Sequence, residues 1–225
     1  MDVFESVRVS AVIPTINEEK TIGDVIRGLK KIPGIEIIVV DTNSTDKTRE
    51  ISSSLGATVI EEPRRGYGRA YLTGLSRATG DVIVCMDGDG TYPVDVVPAL
   101  IDLLIKEDVD FISCDRMTLR TEHNYTRLHF IGNSILNIAI RILFGVSVKD
   151  SQSGMWIFKS SLLRKIHGLS EGMSFSEEIK VEAAKHGLII EVPIRYGVRV
   201  TKPKLNTWKD GFSNLFRLFI KRVNP

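Results

Sequence analysis

Apolar positions in the first ninety residues alternate between two periods. Val7–Ile13 (VRVSAVI) is a β-rich run stopped by Pro14. After it, Asn17-Glu18-Glu19 opens a stretch in which Ile22, Val25, Ile26 and Leu29 recur at helical spacing. Pro33-Gly34 breaks the chain, and Ile35–Val40 (IEIIVV) is almost wholly apolar, the pattern of a strand covered on both faces of a parallel sheet. Asp41–Thr45 (DTNST) is a polar loop leading into a helix through Leu55. Ala57–Ile60 follows as a short strand, Gly68–Ala78 as a helix and Asp81–Met86 (DVIVCM) as another buried strand.

Strand and helix alternating at this interval predict βαβ units in a single α/β domain, an open, twisted, mostly parallel sheet flanked by helices. Ligands of such sheets bind at the carboxyl ends of the strands. That rule selects Pro14–Glu18, Asp41–Thr45 and Asp87–Tyr92, all unusually polar for strand ends. Beyond Asp95 the pattern loosens. A helix over Val96–Lys106, a strand over Asp110–Cys114, a basic loop from Asp115 to Arg127 and an amphipathic helix from Tyr125 to Phe144 are predicted. A polar turn (Asp150–Gly154), a short strand (Met155–Phe158), a helix (Phe175–His186) and a strand (Ile189–Pro193) follow. The chain closes on a helical stripe of Phe212, Leu215, Phe216, Phe219, Ile220 and Val223 beside Arg217, Lys221 and Arg222.

Composition narrows the class. With 225 residues, 43% hydrophobic and 26% charged, the chain is neither disordered nor fibrous and is long enough for one buried core. Two cysteines, Cys85 and Cys114, exclude a disulfide scaffold and point to a reduced, cytoplasmic setting. The N-terminus shows no apolar leader pattern. The most apolar stretch, Leu128 to Val148, is interrupted by His129, Asn133, Asn137 and Arg141, so no membrane-crossing helix is expected. Charge is uneven: from Arg195 to Pro225 eight Lys and Arg face a single acid, Asp210. A basic tail on an acidic body fits either an anionic partner or a solvated surface.

Asp87-Gly88-Asp89 is the sharpest chemical feature. Two carboxylates one residue apart at the end of a buried strand repel each other unless a cation lies between them. Hard divalent ions, Mg²⁺ or Mn²⁺, take such oxygens and keep positions open for phosphate oxygens. Gly88 and Gly90 permit the tight turn. Asp41, followed by Asn43, Ser44, Thr45 and Asp46, reads equally as a helix cap or as a carboxylate that accepts hydrogen bonds from a base or ribose. Gly66-Tyr67-Gly68 after Arg64-Arg65 lacks the third glycine of a dinucleotide fingerprint, leaving a basic loop suited to a diphosphate. The four histidines have no metal-ligand spacing, and the few aromatics form no stacking platform for nucleic acid.

Together these blocks carry a resemblance. VSAVIPTINEE, IIVVDTNSTDKT and GYGRAYLTGLSRATGDVIVCMDGDGTYP resemble successive blocks of the family 2 inverting glycosyltransferases, whose fold is GT-A. Asp150-Ser151-Gln152-Ser153-Gly154 and EVPIRYGVRVTKPKL are similar to the branch containing dolichyl-phosphate mannose and glucose synthases, and the likeness runs from about Val7 to Leu205. It implies a nucleotide-sugar part over about 7–95, an acceptor part over about 96–205 and a basic amphipathic helix over 206–225. By this resemblance Pro14, Thr15, Glu18, Asp41 and Asp87 hold the nucleotide, and Asp87 and Asp89 hold the metal and diphosphate. Arg116 and Arg127 bind the acceptor phosphate and, with Asp89, are the catalytic set. Arg199 and Lys204 belong to a basic closing loop. The chain departs from the family where Thr42-Asn43 stands in place of a frequent Asp-Gly and Thr91 in place of a frequent Gln.

The expected partners are a UDP- or GDP-linked sugar and a polyprenyl or dolichyl phosphate, at the cytoplasmic face of a membrane. A phosphate acceptor has a physical rationale. A sugar hydroxyl needs a general base, whereas a phosphomonoester with a second pKa near ~6 is already mostly dianionic. It needs cations instead, and Arg116, Arg127, Arg199, Lys202 and Lys204 suit that task. Two alternatives are a hydroxyl acceptor, with Glu177 or Glu178 as base rather than an exposed first helical turn, and a non-catalytic nucleotide-sugar-binding subunit. The Tyr125–Phe144 helix and the terminal stripe fit a membrane interface or simple packing on the sheet.

Overall fold

The computed structural model describes residues 7–120, 127–198 and 207–223. Its order is β1 (Val9–Thr15), α1 (Ile22–Leu29), β2 (Glu36–Asp41), α2 (Thr48–Ser54), β3 (Thr58–Glu61), α3 (Tyr67–Leu75) and β4 (Val82–Cys85). Then come α4 (Val97–Lys106), β5 (Phe111–Asp115), α5 (Arg127–Phe144), β6 (Trp156–Lys159), α6 (Phe175–His186), β7 (Ile189–Pro193) and α7 (Thr207–Val223). All seven strands form one sheet in the order β3-β2-β1-β4-β6-β5-β7. The pairs β1–β2, β2–β3, β1–β4 and β5–β7 are parallel, while β6 runs antiparallel to both β4 and β5. The predicted α/β architecture is therefore present, with one reversed strand in its middle.

Two element boundaries differ from the expectation. Pro14 lies inside β1, opposite Val40. Pairing with β4 ends at Val12↔Cys85, and the odd residues face β2, so the missing Pro14 N–H falls beyond the β4 ladder and breaks no bond. The first helix begins at Ile22 rather than Asn17, whose φ of 51° is left-handed; the carbonyl of Glu18 then receives the amides of Thr21 and Ile22.

Alternation along the strands sorts side chains into two cores. Ala11, Ile13, Val39 and Val84 pack against Ile22, Ile26 and Leu29 of α1 and Val97, Ile101 and Leu104 of α4. Val12, Val40, Ile83 and Trp156 pack on the other face against Ala70, Tyr71 and Leu75 of α3 and Phe175 and Ile179 of α6. A third cluster joins Leu136 and Ile140 of α5, Val181 of α6 and Leu218 of α7. The helix α6 thus lies between the sheet and an outer pair of helices.

Candidate active site

The carboxyl ends of β1, β2 and β4 lie side by side, and the polar segments there converge as the sequence rule requires. Thr15 stands opposite Asp41 in register, and its hydroxyl donates to Asp41 Oδ2 at 3.1 Å. Asp41 is fully buried and also accepts from the amide (3.0 Å) and hydroxyl (2.5 Å) of Ser44, with Arg49 Nε at 3.6 Å. The open alternative for Asp41 is answered in part: it organises its own loop. Asn43 is left-handed with φ 55°, a conformation that Asn adopts more readily than most side chains. Pro14 is half-buried beside this loop, and Glu18 is buried with its amide donating to Thr48 Oγ1 at 2.8 Å.

Asp87-Gly88-Asp89 leaves β4 against the end of β1. The Thr21 hydroxyl donates to the Gly88 carbonyl at 2.8 Å, and Gly90 has a left-handed φ of 74°. Asp89 is buried and its Oδ1 accepts from the amide (3.0 Å) and hydroxyl (2.5 Å) of Thr91. The two bonds from Thr91 fix the orientation of the Asp89 carboxylate. Asp87 Oδ1 accepts from the Tyr67 hydroxyl at 3.2 Å. Burial and the nearby Asp87 charge raise the Tyr67 phenol well above its ordinary value, so it stays a donor.

Gly154 closes this wall. A Cβ there would lie 2.2 Å from the Tyr67 hydroxyl and 3.3 Å from both oxygens of Asp87. Its amide donates to the Tyr92 hydroxyl at 2.7 Å, and its carbonyl accepts from Tyr71 at 3.2 Å. Asp87 and Asp89 fit a divalent ion, since the space beside Asp87 exists only because residue 154 has no side chain. No group of three or more His, Cys, Asp or Glu suited to a metal occurs among the described residues. Two carboxylates completed by donor phosphates match the usual Mg²⁺ arrangement.

Arg116 does not face this space alone. Its Nε and Nη2 form a fork on Asp150 at 2.8 and 2.9 Å, and its amide donates to the same carboxylate at 3.0 Å. Asn133 Nδ2 adds a fourth bond at 2.7 Å. Burial pushes the Asp150 carboxyl up, but the Arg116 charge and hydrogen bonds, helped by Lys180, outweigh it and hold the group at about 2. The Arg116 guanidinium also lies 5.2 Å over the ring of Tyr196, which meets Tyr92 edge-on at 5.1 Å. Arg127 opens α5, but its side chain lies outside the described residues, as do Arg199, Lys202 and Lys204.

Three readings change on the structure. Glu177 and Glu178, for which an exposed first turn is one of two sequence readings, are buried, in a helix that α7 joins through Arg217–Glu178 and Lys221–Glu182. Glu177 Oε2 accepts from Gln152 at 3.0 Å, and burial plus the neighbouring Glu178 charge raise its carboxyl to about 8. Two cations of α7, Arg217 and Lys221, pair with acids of α6. Lys221 lies 3.0 Å from Glu182, Arg217 lies 3.6 Å from Glu178, and Asn214 donates to Gln152 at 3.1 Å. In the basic glycine loop, the Gly68 and Arg69 amides bond the carbonyls of Gly172 and Glu171, and Arg64 and Arg69 pair with Glu62. Those donors are committed within the fold.

Asp150, Tyr67, Tyr92 and Lys180 were not singled out in the sequence. A tyrosine has no spacing signature, and Lys180 sits in a helix whose buried face holds Ser176, Glu177 and Glu178, so hydropathy gave it no inward mark.

Comparison with known proteins addresses the family and the fold. The model of "Glycosyl transferase family 2" matches residues 10–167. A dolichyl-phosphate hexose transferase of Haloferax volcanii is 35% identical over 205 residues, covering 90% of this chain and 88% of the relative. The low-salt glycan biosynthesis hexosyltransferase Agl6 of the same organism is 34% identical over 215 residues; the match covers 92% of this chain but only 52% of that relative's length. Glucosyl-3-phosphoglycerate synthase of Mycobacterium tuberculosis, solved with Mn²⁺, UDP-glucose and phosphoglyceric acid, superposes with a TM-score of 0.75 at 22% identity, covering 97% of this chain and 80% of that one. The fold is GT-A.

Proposed function

The chain belongs to glycosyl transferase family 2, and we propose that it moves a hexose from a UDP- or GDP-linked donor to a polyprenyl or dolichyl phosphate, with inversion and with a divalent metal. The observation that carries the reading is the pair Asp87 and Asp89 at the end of β4, with Gly154 leaving room beside Asp87. The name of the Haloferax relative supports the lipid phosphate, and the metal and UDP-sugar in the mycobacterial structure support the donor side.

In this reading Thr15, Glu18 and Asp41 receive the nucleoside beside Pro14. Asp87 and Asp89 would hold Mg²⁺ or Mn²⁺, which would supply positive charge to the departing diphosphate. One oxygen of the acceptor phosphate forms the new bond to the anomeric carbon from the face opposite the leaving group. The anomeric carbon–diphosphate bond breaks as that bond forms, and no proton moves. The chain's task is to bring two anions together without repulsion. Arg116, partly compensated by Asp150, supplies shape and local charge, and Arg127, Arg199, Lys202 and Lys204 supply the remaining positive charge.

The lipid tail needs an apolar surface. Ile131, Ile135, Ile138 and Ile142 form one outward stripe on α5, each 51 to 76% exposed. On α7 Asn214 and Lys221 are buried while Phe216, Phe219 and Val223 are exposed, the reverse of what a solvated helix shows at those positions. These faces rest on the bilayer in our reading. No helix among the described residues is long and apolar enough to cross a membrane.

A hydroxyl acceptor has one observation in its favour, the raised carboxyl of Glu177. Glu177 is fully buried, however, and bonded to Gln152, so it presents no oxygen to a substrate. The test offers labelled UDP- and GDP-sugars one at a time with a short polyprenyl phosphate and Mn²⁺. Label entering the organic phase from one donor, and lost in Asp89→Asn, is the expected result. Donor hydrolysis without lipid labelling would overturn the acceptor assignment.

A further inference from the structure

Lys180 is a charged side chain with no part in the transfer just described. It is fully buried, on the face of α6 that meets the Asp150–Gly154 turn. Its Nζ donates to three main-chain carbonyls of that turn: Asp150 at 2.6 Å, Ser151 at 2.9 Å and Ser153 at 3.1 Å. Its ammonium also lies 5.9 Å from the Trp156 ring. A buried cation is costly, and a turn whose carbonyls merely needed donors could be satisfied by neutral groups. An ammonium gathering three carbonyls at one point fixes the turn from inside.

The rest of the turn is equally constrained. Asp150 is held by Arg116 and Asn133, the Ser151 hydroxyl donates to Asn133 Oδ1 at 2.8 Å, and the Ser151 amide donates to Asn137 Oδ1 at 3.0 Å. Gly154, at the end of this frame, sits between Tyr92 and Tyr71 and against the carboxylate of Asp87. A shift of the turn by a few tenths of an ångström therefore moves the wall of the metal and diphosphate site.

We propose that Lys180 is a positioning residue for the donor diphosphate, acting through the 150–154 turn to set the wall of Gly154 against Asp87. This deepens the reading of Asp87 and Asp89 given above and rests on it. The groups facing Lys180 are Asp150, Arg116, Glu191, Glu177 and Cys114, with Trp156 beneath. Burial lowers its ammonium from 10.5 to about 8, opposed by Asp150 and abetted by Arg116. As pH rises through that value the charge, and with it the grip on the turn, is lost.

The experiment measures Mn²⁺-dependent binding of UDP and of GDP by calorimetry from pH 7 to 9, on wild type, Lys180→Met and Lys180→Arg. Circular dichroism and thermal melting establish in parallel that each variant is folded at the measuring temperature. Wild type is expected to bind one diphosphate and to weaken at least tenfold above pH 8. Folded Lys180→Met should be at least tenfold weaker already at pH 7. Lys180→Arg, whose guanidinium stays charged, should keep most of the affinity and lose the alkaline decline. A folded Lys180→Met with wild-type affinity and an unchanged pH profile would overturn the positioning role while leaving the donor site intact. If Lys180→Met does not fold, a Lys180→Arg that follows the wild-type decline above pH 8 overturns it equally. Failure of the wild type to bind either diphosphate with Mn²⁺ would overturn the donor-site reading itself, and the positioning role with it.

Discussion

At the scale of the residue, the account rests on a few side chains whose surroundings decide their chemistry. Asp87 and Asp89 follow β4 one residue apart and hold the metal in the proposed reading, so Asp87→Asn or Asp89→Asn should lower kcat by about 10²–10³-fold, the usual loss when charge stabilisation of a leaving group is removed. Gly154→Ala should do comparable damage by a different route, since its Cβ would lie 2.2 Å from the Tyr67 hydroxyl. Its expected signature is weakened metal-dependent diphosphate binding, read by titration with Mn²⁺ present and absent. Glu177 makes a thermodynamic prediction. Its folded carboxyl titrates at about 8, above the ordinary value of 4.5, so the folded state holds a proton that the unfolded chain releases. Stability is then lost as pH rises between those values. Glu177→Gln should raise Tm more at pH 8 than at pH 5, by an amount corresponding to about 1–3 kcal/mol at pH 8. An equal effect at both pH values would show that the carboxyl ionises freely in the folded protein. The sequence displayed Asp87 and Asp89 because two acids after a buried strand are conspicuous. It hid Asp150, Lys180 and Glu177, because a buried ion pair or a buried cation looks in sequence like any polar residue until its partners, here 34 and 30 positions away, are known.

At the scale of the element, periodicity was informative wherever one face meets the sheet. Ile22, Val25, Ile26 and Leu29 marked α1, and IEIIVV marked β2, because burial against a sheet imposes one period on each. It placed α6 at Phe175–His186 but did not show that this helix is covered on two sides, and it was silent on the direction of β6, whose four residues carry no record of which neighbours they join. The terminal helix is instructive. Its apolar stripe was legible, whereas the sequence left its cations open to an anionic partner or to solvent, and Arg217 and Lys221 pair with Glu178 and Glu182 of α6. The helix is therefore locked to α6 by polar contacts and offers aromatic side chains to its surroundings. Phe216→Ser with Phe219→Ser should leave melting nearly unchanged and weaken sedimentation with phosphatidylglycerol vesicles by about tenfold or more, the loss expected for two withdrawn aromatic rings. Unaltered vesicle binding would place the lipid elsewhere on the surface.

At the scale of the whole molecule, one continuous sheet brings together the strands proposed for the nucleotide (β1, β2 and β4) and those proposed for the acceptor (β5 to β7), and the 150–154 turn is the seam between them. Arg116 reaches that seam from β5, Tyr67 and Tyr71 from α3, and Lys180 from α6. The general plan was visible in the order of the motifs. The seam was not, because it exists only where β6 inserts antiparallel between β4 and β5. The central claim is that the sugar ends on phosphate. ³¹P nuclear magnetic resonance of the reaction with a short polyprenyl phosphate addresses it directly. The account predicts that the monoester signal of the acceptor falls as a phosphodiester signal coupled to the anomeric proton rises, in step with release of nucleoside diphosphate. A monoester signal that persists while sugar becomes attached to a hydroxyl would contradict it.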